Sequence, residues 1–417
     1  MAKKTYRKTV LENGLVVATE SMEGIRSISL GYFTRQGTRD EDPGVAGVSH
    51  FLEHMLFKGT RNRDARQIAS ELEDRGGSLD AATAKEFISV YARFLFEDLE
   101  LAVDLIGDLV SNPTFPEEEL QKEKGVILEE YREFVDSPEE YVFFLLFRAL
   151  FEGHPLSREV LGKPETIKAI TRKDIVERWK EAIAPENSFI AAAGFIDHDE
   201  LVAMINEKFS FPKNEETRWG EGQFPEPGFY KESRPALNQA HFSLGVRIPP
   251  YRDRRRYPFI ILNSILGYGM SSRLFFELRE KRGLVYSVTS FLEFYRDAGV
   301  FGVYFSLEPG NLDKAYKVLL DELEKVRKNG IREDELKRAK GRVRGSLALS
   351  QESSSSRMSR VANYELHKLD FLHIDEVLER FDRITLDEVM EVASEFLIQE
   401  NYGIGLVGPE SIMNWSP

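Results

Sequence analysis

The chain has no cysteine, so it has neither a disulfide framework nor thiol chemistry. No apolar run reaches the roughly 20 residues that span a bilayer. The opening residues, MAKKTYRKTV, are charged and lack the apolar core of a secretory signal. These absences predict a cytoplasmic protein with no membrane span. A basic surplus is missing as well. The formal net charge is −14, which argues against a general nucleic-acid binder and suits cationic partners better. Histidine is scarce, with 7 in 417 residues, so where each one falls is informative. What is abundant is ordinary: 42% hydrophobic and 30% charged residues describe a globular protein, and the length exceeds one ordinary core, so two or more domains are expected.

Two of the seven histidines fall one helical turn apart in Val45 to Thr60, VAGVSHFLEHMLFKGT. On a helix, His50 and His54 share a face and Glu53 lies beside them. Val48, Phe51, Leu52, Met55 and Leu56 supply the apolar packing of a buried helix. Two imidazoles so placed suit a single zinc ion, and the carboxylate between them is positioned to act on a water at the metal, as in the inverted His-x-x-Glu-His motif. Composition alone would give roughly 0.02 such matches in a chain with 7 His and 70 acidic residues, so the pattern is specific. A zinc site needs a third protein ligand from elsewhere.

That ligand is sought on a long helix opened by Pro116, with acidic residues in its first turn. Leu120, Glu123, Ile127, Glu130 and Phe134 recur with 3-4-3-4 spacing, one stripe of a helix. Carboxylates on an apolar stripe are costly unless they are paired or bind a metal. Glu130 is therefore the expected third ligand, with Glu123 one step along the same face. Glu129 and Glu133 lie off the stripe and are expected in solvent. The competing reading is an internal salt bridge from these acids to an Arg or Lys.

Elsewhere the elements read in order. Thr5 to Leu11 and Leu15 to Glu20 form a hairpin about Asn13-Gly14, and Ser27 to Arg35 a third strand. Asp64 to Asp74 is a helix stopped by Gly76-Gly77, Phe87 to Phe94 a strand, and Glu97 to Val110 a helix. Ser350 to Ser356, SQESSSS, reads as a flexible or polar segment, without the base motif of a nucleophile. His154 lies in a turn and reads as structural or substrate-proximal rather than a ligand, and His198, His367 and His373 have no partner at ligand spacing.

Asn214 to Pro235 is rich in Gly, Pro and charge and reads as a linker between domains at 1–213 and 236–417. The second half repeats the first. Leu101 to Ile127 parallels Ala315 to Val343, and Ser188 to Asp197 parallels Tyr402 to Pro409, which indicates a duplicated domain. Setting Leu120 on Leu336 puts Ala339 under Glu123 and Ser346 under Glu130, and the helix Pro258 to Leu266 takes the place of the His50 helix without a histidine. Packing alone therefore does not require the His and Glu residues of the first half.

The segments HFLEHMLFKGT, GVILEEYREF, GHPLSREVLG and LREKRGLVYSV together resemble the pitrilysin-type inverted-motif zinc metallopeptidases, in the short-chain branch that includes mitochondrial processing peptidase and its bacterial relatives. The resemblance covers nearly the whole chain. It implies an α+β fold of two homologous domains, each an antiparallel-rich sheet packed by helices, forming half of a clamshell that closes as a homodimer. It implies one zinc per chain on His50, His54 and Glu130, Glu53 as general base and Glu123 as supporting acid. Arg279 and Tyr286, in the second domain, match a pair that contacts substrate and stabilises the transition state. The strand at Asp80, Ala81 and Thr83 matches the one that pairs with substrate, and Asp80 stands where the family usually has Asn. The expected activity is endopeptidase cleavage of peptides or unfolded segments, with a preference for cationic ones suggested by the acidic charge. Some members of the family lack zinc ligands and serve as structural or partner-dependent subunits, the rival expectation.

Overall fold

The structure is a computed structural model that describes residues 5–212 and 219–417. Its first unit comprises Met1–Arg132, Arg158–Glu221 and Ser350–Phe371; its second comprises Glu133–Ser157, Gly222–Leu349 and Leu372–Pro417. The division is thus not the linear one expected at 214–235, because two segments are exchanged between the halves. Part of that expected linker, 214–218, lies outside the described residues.

The first unit is built on β1 (Tyr6–Val10), β2 (Val16–Ser21), β3 (Ser27–Thr34), β4 (Ser78–Thr83), β5 (Ile88–Leu95) and β6 (Ser188–Gly194), in the spatial order β1-β2-β6-β3-β5-β4. All neighbours are antiparallel except β2 and β6. The Asn13-Gly14 hairpin is present as expected, with Gly14 at φ 92°. Every residue of β6, SFIAAAG, is buried, so both faces of the sheet are covered. Ile190 and Ala192 face a core that includes Phe51, Leu52, Leu105 and Ile106. Phe189, Ala191 and Ala193 face the other way, onto Met358, Val361 and Ala362 of the helix Ser354–Leu366. The small side chains of β6 and β2 let that helix approach closely. Its N-terminus lies in the SQESSSS segment, expected to be flexible or polar: Ser353 caps the helix and the Ser354 hydroxyl lies 2.9 Å from that of Ser29.

The second unit is built on β7 (Phe229–Ser233), β8 (Ala240–Ile248), β9 (Ser287–Phe294), β10 (Gly299–Leu307) and β11 (Gly403–Gly408), in the order β7-β11-β8-β10-β9. This is the order of β2 to β6 repeated strand for strand, including the single parallel pair, now β7 with β11. The duplication read from the sequence is therefore one of topology, and the fold is α+β as expected. The helix Pro138–Phe151 packs on β11 and β8. A Cβ on Gly405 would stand 2.6 Å from the Val142 carbonyl, so glycine there sets the close approach. No helix among the described residues is long and apolar enough to cross a membrane.

Candidate functional site

Local chemistry fixes the start of the helix that carries both histidines, Val48–Leu56. Gly47 precedes it at φ 96°, a left-handed conformation that glycine adopts without penalty. The first N–H groups are capped by a buried acid: Glu41 accepts from Gly47 N at 2.8 Å and Ser49 N at 2.7 Å. Burial pushes the Glu41 carboxyl up, and the nearby Arg178 guanidinium and these N–H bonds oppose it. Arg178 in turn donates to the Ser49 hydroxyl and the Gly37 carbonyl. Phe51, Leu52, Met55 and Leu56 are fully buried, which turns His50, Glu53 and His54 toward the opposite face.

The long helix, Glu117–Asp136, meets that face. Glu130 Oε2 lies 3.7 Å from His50 Nε2 and 3.5 Å from His54 Nε2, and one ligand atom from each of the three residues lies within 4.8 Å of the others. Burial, then the neighbouring His54, draw the His50 pKa down to about 4, so its imidazole is neutral and keeps a lone pair for a metal. Two imidazole nitrogens and one carboxylate oxygen make the three-ligand set that fits a catalytic zinc ion. Among the described residues Glu130 has no Lys or Arg partner, so the internal salt bridge is not formed there. Glu129 is exposed and pairs with Arg132.

The salt bridge is formed instead by Glu123, which is buried. It bonds His54 Nδ1 at 2.9 Å and Lys58 Nζ at 2.7 Å. Burial alone would raise the Glu123 carboxyl, but the Lys58 and His54 bonds hold it below the usual range. Glu123 thus orients His54 through the ring nitrogen that does not face Glu130. Glu53 is pushed up by burial, against a hydrogen bond from the Thr83 hydroxyl to its Oε2. Thr83 belongs to β4, the outer strand of its sheet, as do Asp80 and Ala81. Asp80 is exposed, accepts from its neighbour Ala81 N, and receives the Tyr91 hydroxyl at 3.3 Å. Arg279 and Tyr286 belong to the second unit: the Arg279 guanidinium lies over the Phe275 ring and Tyr286 is 73% exposed. Sequence reasoning passed over Lys58 and Glu41. Lys58 stands four residues after His54, a spacing that places it on the same face and was the available signal.

Comparison with known proteins places the chain. Residues 16–164 match the family model described as Insulinase (Peptidase family M16), and residues 169–343 match the one described as Peptidase M16 inactive domain. A protein of Mycobacterium tuberculosis, named as an uncharacterized zinc protease, is 40% identical over 409 residues, covering 97% of this chain and 93% of that one. One of Bacillus subtilis, named in the same way, is 33% identical over 410 residues, covering 98% and 99%. In fold, the crystal structure of a protease from Helicobacter pylori superposes with a TM-score of 0.92 at 22% identity, over 98% of this chain and 100% of that one.

Proposed function

The chain belongs to the M16 peptidase family, and we propose that it is a zinc-dependent endopeptidase that cleaves peptides or unfolded segments. The observation that carries this reading is the convergence of His50, His54 and Glu130 on one point, with Glu53 on the same helix face. Zinc held by such a set supplies Lewis acidity, which makes water a nucleophile near neutral pH and draws charge from a carbonyl oxygen. Glu53 takes the proton of the attacking water as the new C–O bond forms. It returns that proton to the amide nitrogen as the C–N bond breaks. The raised pKa of Glu53 suits both halves of this exchange, and Thr83 fixes the carboxylate that performs it. Glu123 and Lys58 hold His54 in one tautomer and orientation.

The outer strand β4 offers its backbone to an extended peptide near Asp80, Ala81 and Thr83. Two copies of the chain enclose the substrate as a homodimer, and Arg279 and Tyr286 of one protomer serve the metal site of the other by contacting substrate and oxyanion. The test is zinc content of the purified protein together with hydrolysis of a quenched peptide. One zinc per chain, loss of hydrolysis on chelation and recovery on zinc addition are expected. Hydrolysis indifferent to chelation would overturn the reading. The rival is a partner-dependent subunit, and the description "inactive domain" for residues 169–343 is what favours it. That stretch excludes the His50 motif. A protein that binds zinc yet turns over only when a second, different chain is added would establish the rival.

A further inference from the structure

The second unit contains a groove of about 500 Å³ between the helix Arg256–Leu266, strand β9 and the helix Glu333–Ser350. These elements are the repeats of the two helices that carry His50, His54 and Glu130 and of the strand β4 that carries Thr83 in the first unit. Ile260, Asn263 and Ser264 line the groove at the i, i+3, i+4 spacing of His50, Glu53 and His54. Ser346, which the repeat sets under Glu130, lines it too. At these positions the second unit carries neither a metal ligand nor the base.

What stands there instead is a cation. Arg342 donates to the Ser264 hydroxyl at 3.0 Å, the Ser264 carbonyl at 2.5 Å and the Ser271 hydroxyl at 2.9 Å. No carboxylate lies within ion-pair reach of it among the described residues, whereas its neighbours Arg338 and Arg344 pair with Asp334 and Asp382. Burial lowers the Arg342 pKa, as expected for a partly desolvated guanidinium without a counter-charge. Asn263 Oδ1 is buried in the same groove with no donor. A half-buried cation without a counter-charge and a buried amide oxygen without a donor are together complementary to a ligand that brings an anion and an N–H. The walls between them are apolar, from Phe291, Leu292 and Leu347.

We propose that this groove binds the free C-terminal end of a peptide, with its carboxylate on Arg342, an amide N–H on Asn263 and an apolar last side chain against Phe291, Leu292 and Leu347. A fatty acid would satisfy the cation and the walls but brings no N–H for Asn263. The inference stands on the second unit's own geometry and needs no turnover.

The test uses the full-length protein carrying Glu53→Gln, so that peptide is not consumed. Fluorescence anisotropy compares an N-terminally labelled peptide ending in leucine as the free acid and as the C-terminal amide, with and without a chelator. The free acid is expected to bind about tenfold or more tightly than the amide, the size of a charge-assisted pair of hydrogen bonds. The general field of a chain with net charge −14 would favour the amide instead, so the sign is diagnostic. Arg342→Gln is expected to erase the difference and Arg342→Lys to keep part of it. Equal binding of acid and amide by the unaltered groove under chelation would overturn the proposal, and that comparison does not depend on how any groove variant folds. A difference that survives Arg342→Gln would place the carboxylate elsewhere and overturn it too. Decanoate displacing the peptide at concentrations equal to the peptide acid would overturn the peptide assignment.

Discussion

Glu123 and Glu130 sit two turns apart on one stripe of one helix, and their neighbours give them different work. Among the described residues Glu130 forms its ion pairs with the two imidazoles, so Glu130→Gln is expected to lose zinc and activity together, whereas Glu129→Gln, at an exposed position paired with Arg132, is expected to keep both. Equal zinc retention by the two variants, read by metal analysis, would defeat the ligand assignment. Glu53→Gln should behave differently again: zinc stays bound while turnover falls about 10²–10⁴-fold, because a base is removed and not a ligand. Glu123→Gln acts through His54 and should weaken zinc binding about 10–100-fold in a competition titration with a chromophoric chelator. The stripe that marked Glu123 and Glu130 was legible because helical periodicity is a property of the sequence. The division of roles between them was not, since it depends on Lys58, which reaches Glu123 only when the two helices pack.

At the scale of elements, the approach of the chain to the His50 helix is as constrained as the helix itself. Gly47 is at φ 96°, and a Cβ there would stand 2.5 Å from the Leu161 carbonyl. Gly47→Ala therefore meets both backbone strain and a collision. It should destabilise the first unit by about 1–3 kcal/mol, read as a lowered midpoint in thermal or urea unfolding, with zinc affinity falling in parallel. An unchanged midpoint would mean that the helix entrance relaxes freely. Most strands and helices of the first unit were legible, because alternation, capping residues and Gly-Gly stops are local signals, whereas of the second unit's five strands only β11 was read. The exchange of Pro138–Phe151 and Ser354–Leu366 was not: amphipathicity says that a helix buries a face, and β6 says that its sheet is covered on both sides, but neither names the partner. SQESSSS illustrates the same limit, since a run of serines reads as polar until Ser29 is found opposite Ser354.

The whole molecule adds charge and assembly. A net charge of −14 should favour cationic substrates at low ionic strength, so exchanging Glu for Lys in a matched peptide should raise kcat/KM, and added salt should shrink the gain. No difference at low salt would leave the acidity a matter of solubility. The stronger prediction concerns the shared site. The metal cluster lies in one unit and Arg279 and Tyr286 in the other. If each site draws on both protomers, two inactive homodimers should rescue each other. One carries Glu53→Gln; the other carries Arg279→Ala with Tyr286→Phe. After subunit exchange, a hybrid dimer has one site with both defects and one with neither. Random isologous pairing makes roughly half the dimers hybrids, each with one working site of two, so activity should return to at most about a quarter of wild type. Exchange demonstrated by mass or by label, with no activity returning, would mean that the pair serves its own chain's metal site. A protein that stays monomeric at working concentration while fully active would reject the shared site outright.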